Sequence, residues 1–269
     1  MKHLFETATL KSRYRWLRRQ IRRRRVLARP KTREYTGPHG DVLHCCIAYN
    51  QYGGYCVPLS ILKRPAVQRV LEGNVYEPKT LSFMRDHCSG GDIIHAGTFF
   101  GDFLPALAEA CRNESIVWAF EPNPESYRCA RATLEINGIS NVELTHAGLG
   151  SKRDSLLLRV RDEQGIAMGG RSRFVDVGPG EETGLVKVPV VRVDDVVPES
   201  RNVGILQLDV EGYEEQSLVG ALGTIKRCQP ILILETEVSQ GWFAKQLPEI
   251  RYQPIAKLHR NTVFAPQER

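Results

Sequence analysis

No stretch of the 269 residues comes near the ~18 uninterrupted apolar positions of a membrane-spanning helix, so the chain is not expected to cross a bilayer that way. The first residues also lack the apolar core of a secretory leader, which points to a cytoplasmic protein. No Cys-x-x-Cys pair occurs, and the seven cysteines are odd in number and scattered, with only Cys45 and Cys46 adjacent. That excludes a zinc ribbon and a disulfide framework, leaving buried or free thiols in a reducing compartment. Negative charge is nearly absent from residues 1–33, which hold thirteen Lys or Arg against one Glu. The whole chain is +6, so an arm of +12 is appended to a body of −6. Leu10, Tyr14, Leu17 and Ile21 fall on one face of a helix within this arm, with Trp16 beside them, and Pro30 ends the pattern. A basic amphipathic helix over residues 10–27 suits the anionic inner face of a membrane. The same charges suit nucleic-acid phosphates, or simply a solvated arm.

The whole chain has 42% hydrophobic and 25% charged residues, the balance of one globular domain with extensions. Its most informative stretch is residues 92–121. Ile93 and Ile94 enter a glycine turn, Gly97-Thr98-Phe99-Phe100-Gly101. An apolar helix pattern follows through Phe103, Leu104, Leu107 and Cys111, and a strand over 116–120 ends on Glu121. Strand, glycine loop, helix, strand and acid form half of a nucleotide-type binding unit. In this reading the second glycine, Gly101, lets the backbone approach a ligand, and Glu121 accepts hydrogen bonds from ribose hydroxyls. A dinucleotide site wants Gly-x-Gly-x-x-Gly, whereas here the spacing is Gly-x-x-x-Gly and Asp102 follows. An anion at that place repels a pyrophosphate and suits a cationic ligand, as S-adenosylmethionine is. A dinucleotide enzyme and an ordinary β-α-β turn stay open from this window alone.

The remaining pieces narrow the choice. "AFEPNP" stands at 119–124, "INGISNVEL" at 136–144, "LDVEGYE" at 208–214 and "LILETE" at 232–237. With the glycine loop, these five segments resemble the FkbM family of S-adenosylmethionine-dependent methyltransferases over about residues 40–266. One departure is His95, where the family usually has Asp. The resemblance implies an α/β, Rossmann-like class I methyltransferase fold. Its seven-stranded, mostly parallel sheet has order 3-2-1-4-5-7-6, with helices on both faces. Residues 1–34 are then a basic N-terminal arm, residues 35–90 a cap region and residues 91–269 the catalytic domain, with an inserted loop at 161–184. Strands are expected over 42–49, 155–160, 185–191, 203–209, 230–237, 252–258 and 262–266. A turn is expected over 50–55, and helices over 81–87 and 214–226. The glycine-rich insertion reads as a hairpin with a mobile substrate loop, in which Arg171 and Arg173 meet an acidic or hydroxylated substrate or are simply solvated.

Ligands of open α/β sheets lie outside the carboxyl ends of the strands, where the strand order reverses. Candidate cofactor contacts are therefore His95, Gly97, Thr98, Phe99, Gly101, Asp102, Phe103, Glu121, Pro122, Asn123, Ala147, Gly148 and Asp209. Tyr52, Tyr55 and Glu77 are candidates for the mouth, with core packing or turn chemistry as the alternative. His146 reads as structural. Methyl transfer to a hydroxyl needs a base or a metal. Asp209, Glu211 and His259 are the candidate bases. Asp209 and Glu211, with Glu235 or Glu237, offer oxygen ligands to Mg²⁺ or another divalent cation. The resemblance implies O-methylation of a sugar, glycan or secondary metabolite. Two alternatives stand beside it. An RNA methyltransferase using the arginine arm is one, against which speak the acidic body and the absence of Asn-Pro-Pro. A non-catalytic methyltransferase-like binding module is the other.

Overall fold

The computed structural model describes residues 31–36, 42–111, 115–176, 183–236 and 238–267. The basic stripe of residues 10–27 and Glu237 lie outside them. An antiparallel ribbon comes first, β1 (Lys31–Thr36), β2 (Val42–Asn50) and β3 (Gly53–Pro58). Helices α1 (Pro65–Leu71) and α2 (Pro78–His87) lead to β4 (Asp92–Ala96), α3 (Leu104–Ala110), β5 (Val117–Phe120), α4 (Pro124–Asn137) and β6 (Val142–Thr145). An excursion follows through β7 (Gly148–Leu149), β8 (Asp154–Arg159), β9 (Arg173–Phe174) and β10 (Leu185–Val191), then the short α5 (Val193–Val196). The alternation resumes with β11 (Val203–Leu208), α6 (Glu214–Val219), α7 (Leu222–Cys228), β12 (Ile231–Leu234) and α8 (Gln240–Gln246). It closes on the hairpin β13 (Tyr252–Leu258) and β14 (Asn261–Pro266).

Period-two patterning builds the main sheet. Ile94, Leu206, Leu208, Leu232 and Leu234 pack into one apolar layer, while their neighbours Ile93, Ile205 and Ile233 pack into the other. Strands apolar on both faces must be covered on both. Leu218 of α6, Ile225 of α7 and Phe243 of α8 cover the first face. Leu81 and Met84 of α2, Leu104 and Leu107 of α3, and Ala130 of α4 cover the second. The spatial order is β6-β5-β4-β11-β12-β14-β13. Counted along the chain within this sheet it is 3-2-1-4-5-7-6, the order the resemblance implies. Only β14 runs against its neighbours. The order reverses between β4 and β11, which places a binding crevice at their carboxyl ends. No described helix is long and apolar enough to cross a membrane.

Three expectations are corrected. Residues 50–55 are not one turn: the chain reverses at Gln51 and Tyr52, and 53–58 return as β3. Tyr55 is consequently buried in the core, its hydroxyl donating to Asn50 Oδ1 at 3.1 Å, and Tyr52 lies under the Arg85 guanidinium 4.8 Å away. The helix expected over 214–226 breaks after Val219. There a Cβ on Gly220 would come 2.0 Å from the Gly150 carbonyl oxygen, so only glycine admits this close approach. The insertion is more than a hairpin. β8 and β10 pair as expected, but β7 and β9 join them in a separate sheet of order β7-β10-β8-β9.

Candidate active site

The glycine loop is shaped by its backbone. Gly97 has φ +81°, and a Cβ there would lie 1.8 Å from the Asp209 carbonyl oxygen, so β4 and β11 can meet only through a glycine. Phe99 also takes a left-handed conformation, φ +56°, which turns its N–H onto Glu121 Oε2 at 2.6 Å. The other oxygen, Oε1, accepts from the Asn123 N–H at 2.8 Å. Glu121, directly after β5, is thus buried and fixed by two main-chain donors. Burial pushes its carboxyl up to about 8, the two N–H bonds opposing that shift. Burial likewise pushes Asp102 up to about 7.

Register explains the rest of the site. Gln207 and His95 are direct neighbours on β11 and β4 and share a face. His95 Nδ1 therefore donates to Gln207 Oε1, which fixes the tautomer and leaves Nε2 as a bare acceptor. Nε2 is buried and has no partner. The ring stacks on Phe103 at 5.6 Å, and burial holds it neutral, down to about 4. Leu208 and Leu234 are also registered, so the residues that follow them, Asp209 and Glu235, emerge side by side. Their carboxyl oxygens lie within 4.8 Å of each other. Burial first, and Glu235 second, raise Asp209 well above the carboxylate range. Glu211, φ +52°, is raised by burial and then by Glu235. Ligand atoms of these three acids lie within 4.8 Å of one another, and Arg260 pairs with Glu235 at 3.1 Å.

Two hollows meet here. A narrow, largely apolar hollow is lined by Phe120, Glu121, Pro122, Ala147, Gly148, Leu149 and Leu158, and roofed from the insertion by Gly169, Ser172, Arg173 and Phe174. A larger cleft beside it is lined by His95, Phe99, Asp102, Phe103, Gln207, Asp209, Glu211 and Glu235, with Arg64, Tyr76, Glu77, Arg171 and Arg260 around its outer side. Most of the sequence candidates thus converge. Four do not. Thr98 is buried and donates its hydroxyl to the His95 carbonyl at 3.1 Å, closing the loop instead of facing a ligand. Gly101 lines neither hollow, and a Cβ there would meet Ala130 at 3.3 Å, so its role is packing on α4. Asn123 uses its Oδ1 to cap α4, accepting from Glu125 and Ser126 N–H at 3.0 and 3.3 Å. His259, φ +54°, turns its ring toward the Lys79 N–H and lines a neighbouring hollow, leaving Arg260 to face the cleft. His146 stacks on Tyr127 at 4.5 Å and donates to the Pro122 carbonyl at 3.2 Å.

Sequence reasoning missed Arg64, Tyr76, Phe174 and Arg260. The glycines at 165–170 were the one local signal for the roof. The others reach the cleft only through tertiary packing.

Comparison with known proteins gives three results. The family model described as "Methyltransferase FkbM domain" matches residues 95–254. A curated protein named "Methyltransferase 1", from Beauveria bassiana (strain ARSEF 2860), is 30% identical over 147 residues, 48% of this chain and 57% of its own length. Among solved structures, "Methyltransferase FkbM" from Methylobacillus flagellatus KT is 16% identical, with a TM-score of 0.44 over 66% of this chain and 44% of that one. A SAM dependent methyltransferase from Aquifex aeolicus is 13% identical, with a TM-score of 0.41 over 76% and 94%. The match thus spans little more than half of the curated relative and less than half of the Methylobacillus chain.

Proposed function

Because the chain belongs to the methyltransferase FkbM domain family, we propose that it transfers a methyl group from S-adenosylmethionine to a hydroxyl of a sugar, glycan or secondary-metabolite acceptor. The observation that carries the reading is Glu121, buried at the end of β5 with both oxygens fixed by main-chain donors beside an apolar hollow. That geometry fits a ribose, whose hydroxyls donate to the remaining lone pairs. The cleft fits the cationic half. Asp102 and Asp209 are acids raised by burial, which a bound cation returns to the charged form, and the bare Nε2 of His95 is an acceptor for an ammonium.

When bound, the cofactor supplies an electrophilic methyl carbon. The protein's task is then to align an acceptor oxygen with it, chiefly a matter of positioning. In this reading Asp209 takes the acceptor's proton, and burial with the adjacent Glu235, which raise its carboxyl, makes it the stronger base. Glu77, raised by burial and held by the Thr80 hydroxyl at 3.2 Å and Asn261 Nδ2 at 2.7 Å, forms the far wall for acceptor hydroxyls. A second reading gives Asp209, Glu211 and Glu235 to a divalent cation that activates the hydroxyl, favoured by their convergence within 4.8 Å. The reading also takes the protein to be cytoplasmic, with residues 10–27 on the inner membrane face; its support there is the charge pattern of the sequence. Isothermal titration of the full chain with S-adenosylmethionine tests the cofactor assignment: saturable one-to-one binding is expected, and no binding at about 1 mM ends it.

A further inference from the structure

Residues 167–174 run between the two hollows, and neither the strand-end geometry nor the family's motifs use them. The segment is tied at both ends. Arg64 Nη2 donates to the Ala167 carbonyl at 2.9 Å, and the Met168 N–H donates to the Val160 carbonyl at 2.8 Å. Toward the other end Asn123 Nδ2 donates to Ser172 Oγ at 2.9 Å, and that hydroxyl donates to the Gly169 carbonyl at 2.7 Å. Between these ties the chain lies on Phe99, where a Cβ on Gly169 would come 3.0 Å from the ring at φ +57°. Beyond them Phe174 sets the tip of its ring against Gly148, where a Cβ would come 2.5 Å from Cζ. Phe174 is also tilted against Tyr213, with ring centroids 4.9 Å apart. Gly170 borders both hollows, and they share only Gly97 and Asp209 besides.

We propose that residues 167–174 are a clasp over the nucleoside end of the cofactor, with Phe174 as its contact to the base and the Asn123–Ser172 hydrogen bond as its latch. The proposal rests on the cofactor reading above. The apolar walls Phe120, Pro122, Leu149 and Leu158 suit a flat heteroaromatic base, which the narrow hollow admits as the clasp lifts, and an aromatic ring at the edge adds a stacking face. Asn123 is suited to the latch because its other groups are committed, the N–H to Glu121 and Oδ1 to the cap of α4. The latch is thereby tied to the residue that holds the ribose. Phe174 itself sits in a two-residue strand paired with Leu158 and Arg159 and followed by one further bond, Val175 N–H to the Leu157 carbonyl at 3.1 Å, a short anchor that release for ligand exchange can break.

The test uses the full chain with two probes, S-adenosylhomocysteine and 5′-methylthioadenosine, the second of which carries the nucleoside without the amino-acid tail. Phe174→Ala is expected to weaken both by about tenfold, and Phe174→Tyr to restore them. Ser172→Ala is expected to release S-adenosylhomocysteine about fivefold faster in stopped-flow displacement, with Ser172→Thr restoring the wild-type rate. Thermal melts establish that each variant is folded. If Phe174→Ala is not, Phe174→Leu, which keeps bulk and loses the π face, carries the same expectation. Unchanged or tighter binding by the Phe174 variants overturns the clasp, as does a loss confined to the tailed probe. Wild type that binds neither probe overturns the cofactor reading and the clasp together, whereas wild-type binding with indifferent variants overturns the clasp alone.

Discussion

Replacing Glu121 by Gln separates its charge from its shape. The carboxyl is buried, pushed up to about 8, and assigned to ribose hydroxyls that it can accept only through oxygen lone pairs. If the ligand takes the carboxylate form, binding expels a proton, so affinity rises with pH below the raised value. With ionisation centred near 8, about 1% of the free protein is binding-competent at pH 6 and about half at pH 8. The dissociation constant then falls by up to about 50-fold between them. Glu121→Gln resembles the protonated form at every pH. It is expected to lose this slope and, lacking one charge-assisted bond worth about 1.5–3 kcal/mol, to bind about 10- to 150-fold more weakly at pH 8. The amide can accept from only one of the Phe99 and Asn123 N–H groups, so circular dichroism should accompany the titrations. Titration with S-adenosylhomocysteine at pH 6, 7 and 8 is the assay. A flat wild-type profile, or a variant that keeps the slope, refutes the assignment of Glu121 to the ribose.

Three further outcomes follow from the geometry. Asp209→Asn should lower kcat by about 10²–10⁴-fold, a larger loss than its effect on S-adenosylhomocysteine affinity, since the side chain acts on the acceptor's proton besides facing the cofactor's cationic half. Gly97→Ala forces a Cβ to 1.8 Å from the Asp209 carbonyl oxygen at φ +81°. It should cost roughly 3 kcal/mol or more, seen as a melting temperature lower by roughly 6–12 °C. His95 is held neutral in the fold, down to about 4 from 6.5, so the unfolded chain binds the extra proton first. Stability should therefore fall as pH drops from about 6.5 to 4, by at most about 3 kcal/mol from this group, and His95→Asn should lose less over the same range in urea melts.

The central β-α-β unit was legible because its signals are local. Ile93 and Ile94 face opposite layers, Gly97 has to be glycine, and Glu121 follows β5 directly. Adjacent-strand register then brought Asp209 to Glu235 and His95 to Gln207, which the strand order anticipates once the fold is known. The misses arose where distant contacts decide. β3 was hidden by the glycines and tyrosines of 52–55, which mimic a long turn. The helix over 214–226 looks continuous until the Gly150 carbonyl is seen against Gly220. His259 and Arg260 differ by one place at the hairpin tip, and the left-handed backbone of His259 decides which of them faces the cleft. Asn123 and Ser172 are 49 residues apart, so the roof over the nucleoside hollow had no local signature beyond its glycines.

Methyl transfer itself is best tested with S-adenosylmethionine labelled in the methyl group, incubated with the protein and fractionated cell lipids, polysaccharides, small metabolites and RNA, with and without EDTA. We expect label in a hydroxyl-bearing saccharide or metabolite fraction, lost with Asp209→Asn; persistence in EDTA would assign Asp209 as base, and loss in EDTA would assign the three acids to a cation. Label confined to RNA, or no label in any fraction from a protein that binds the cofactor, would contradict the proposed function.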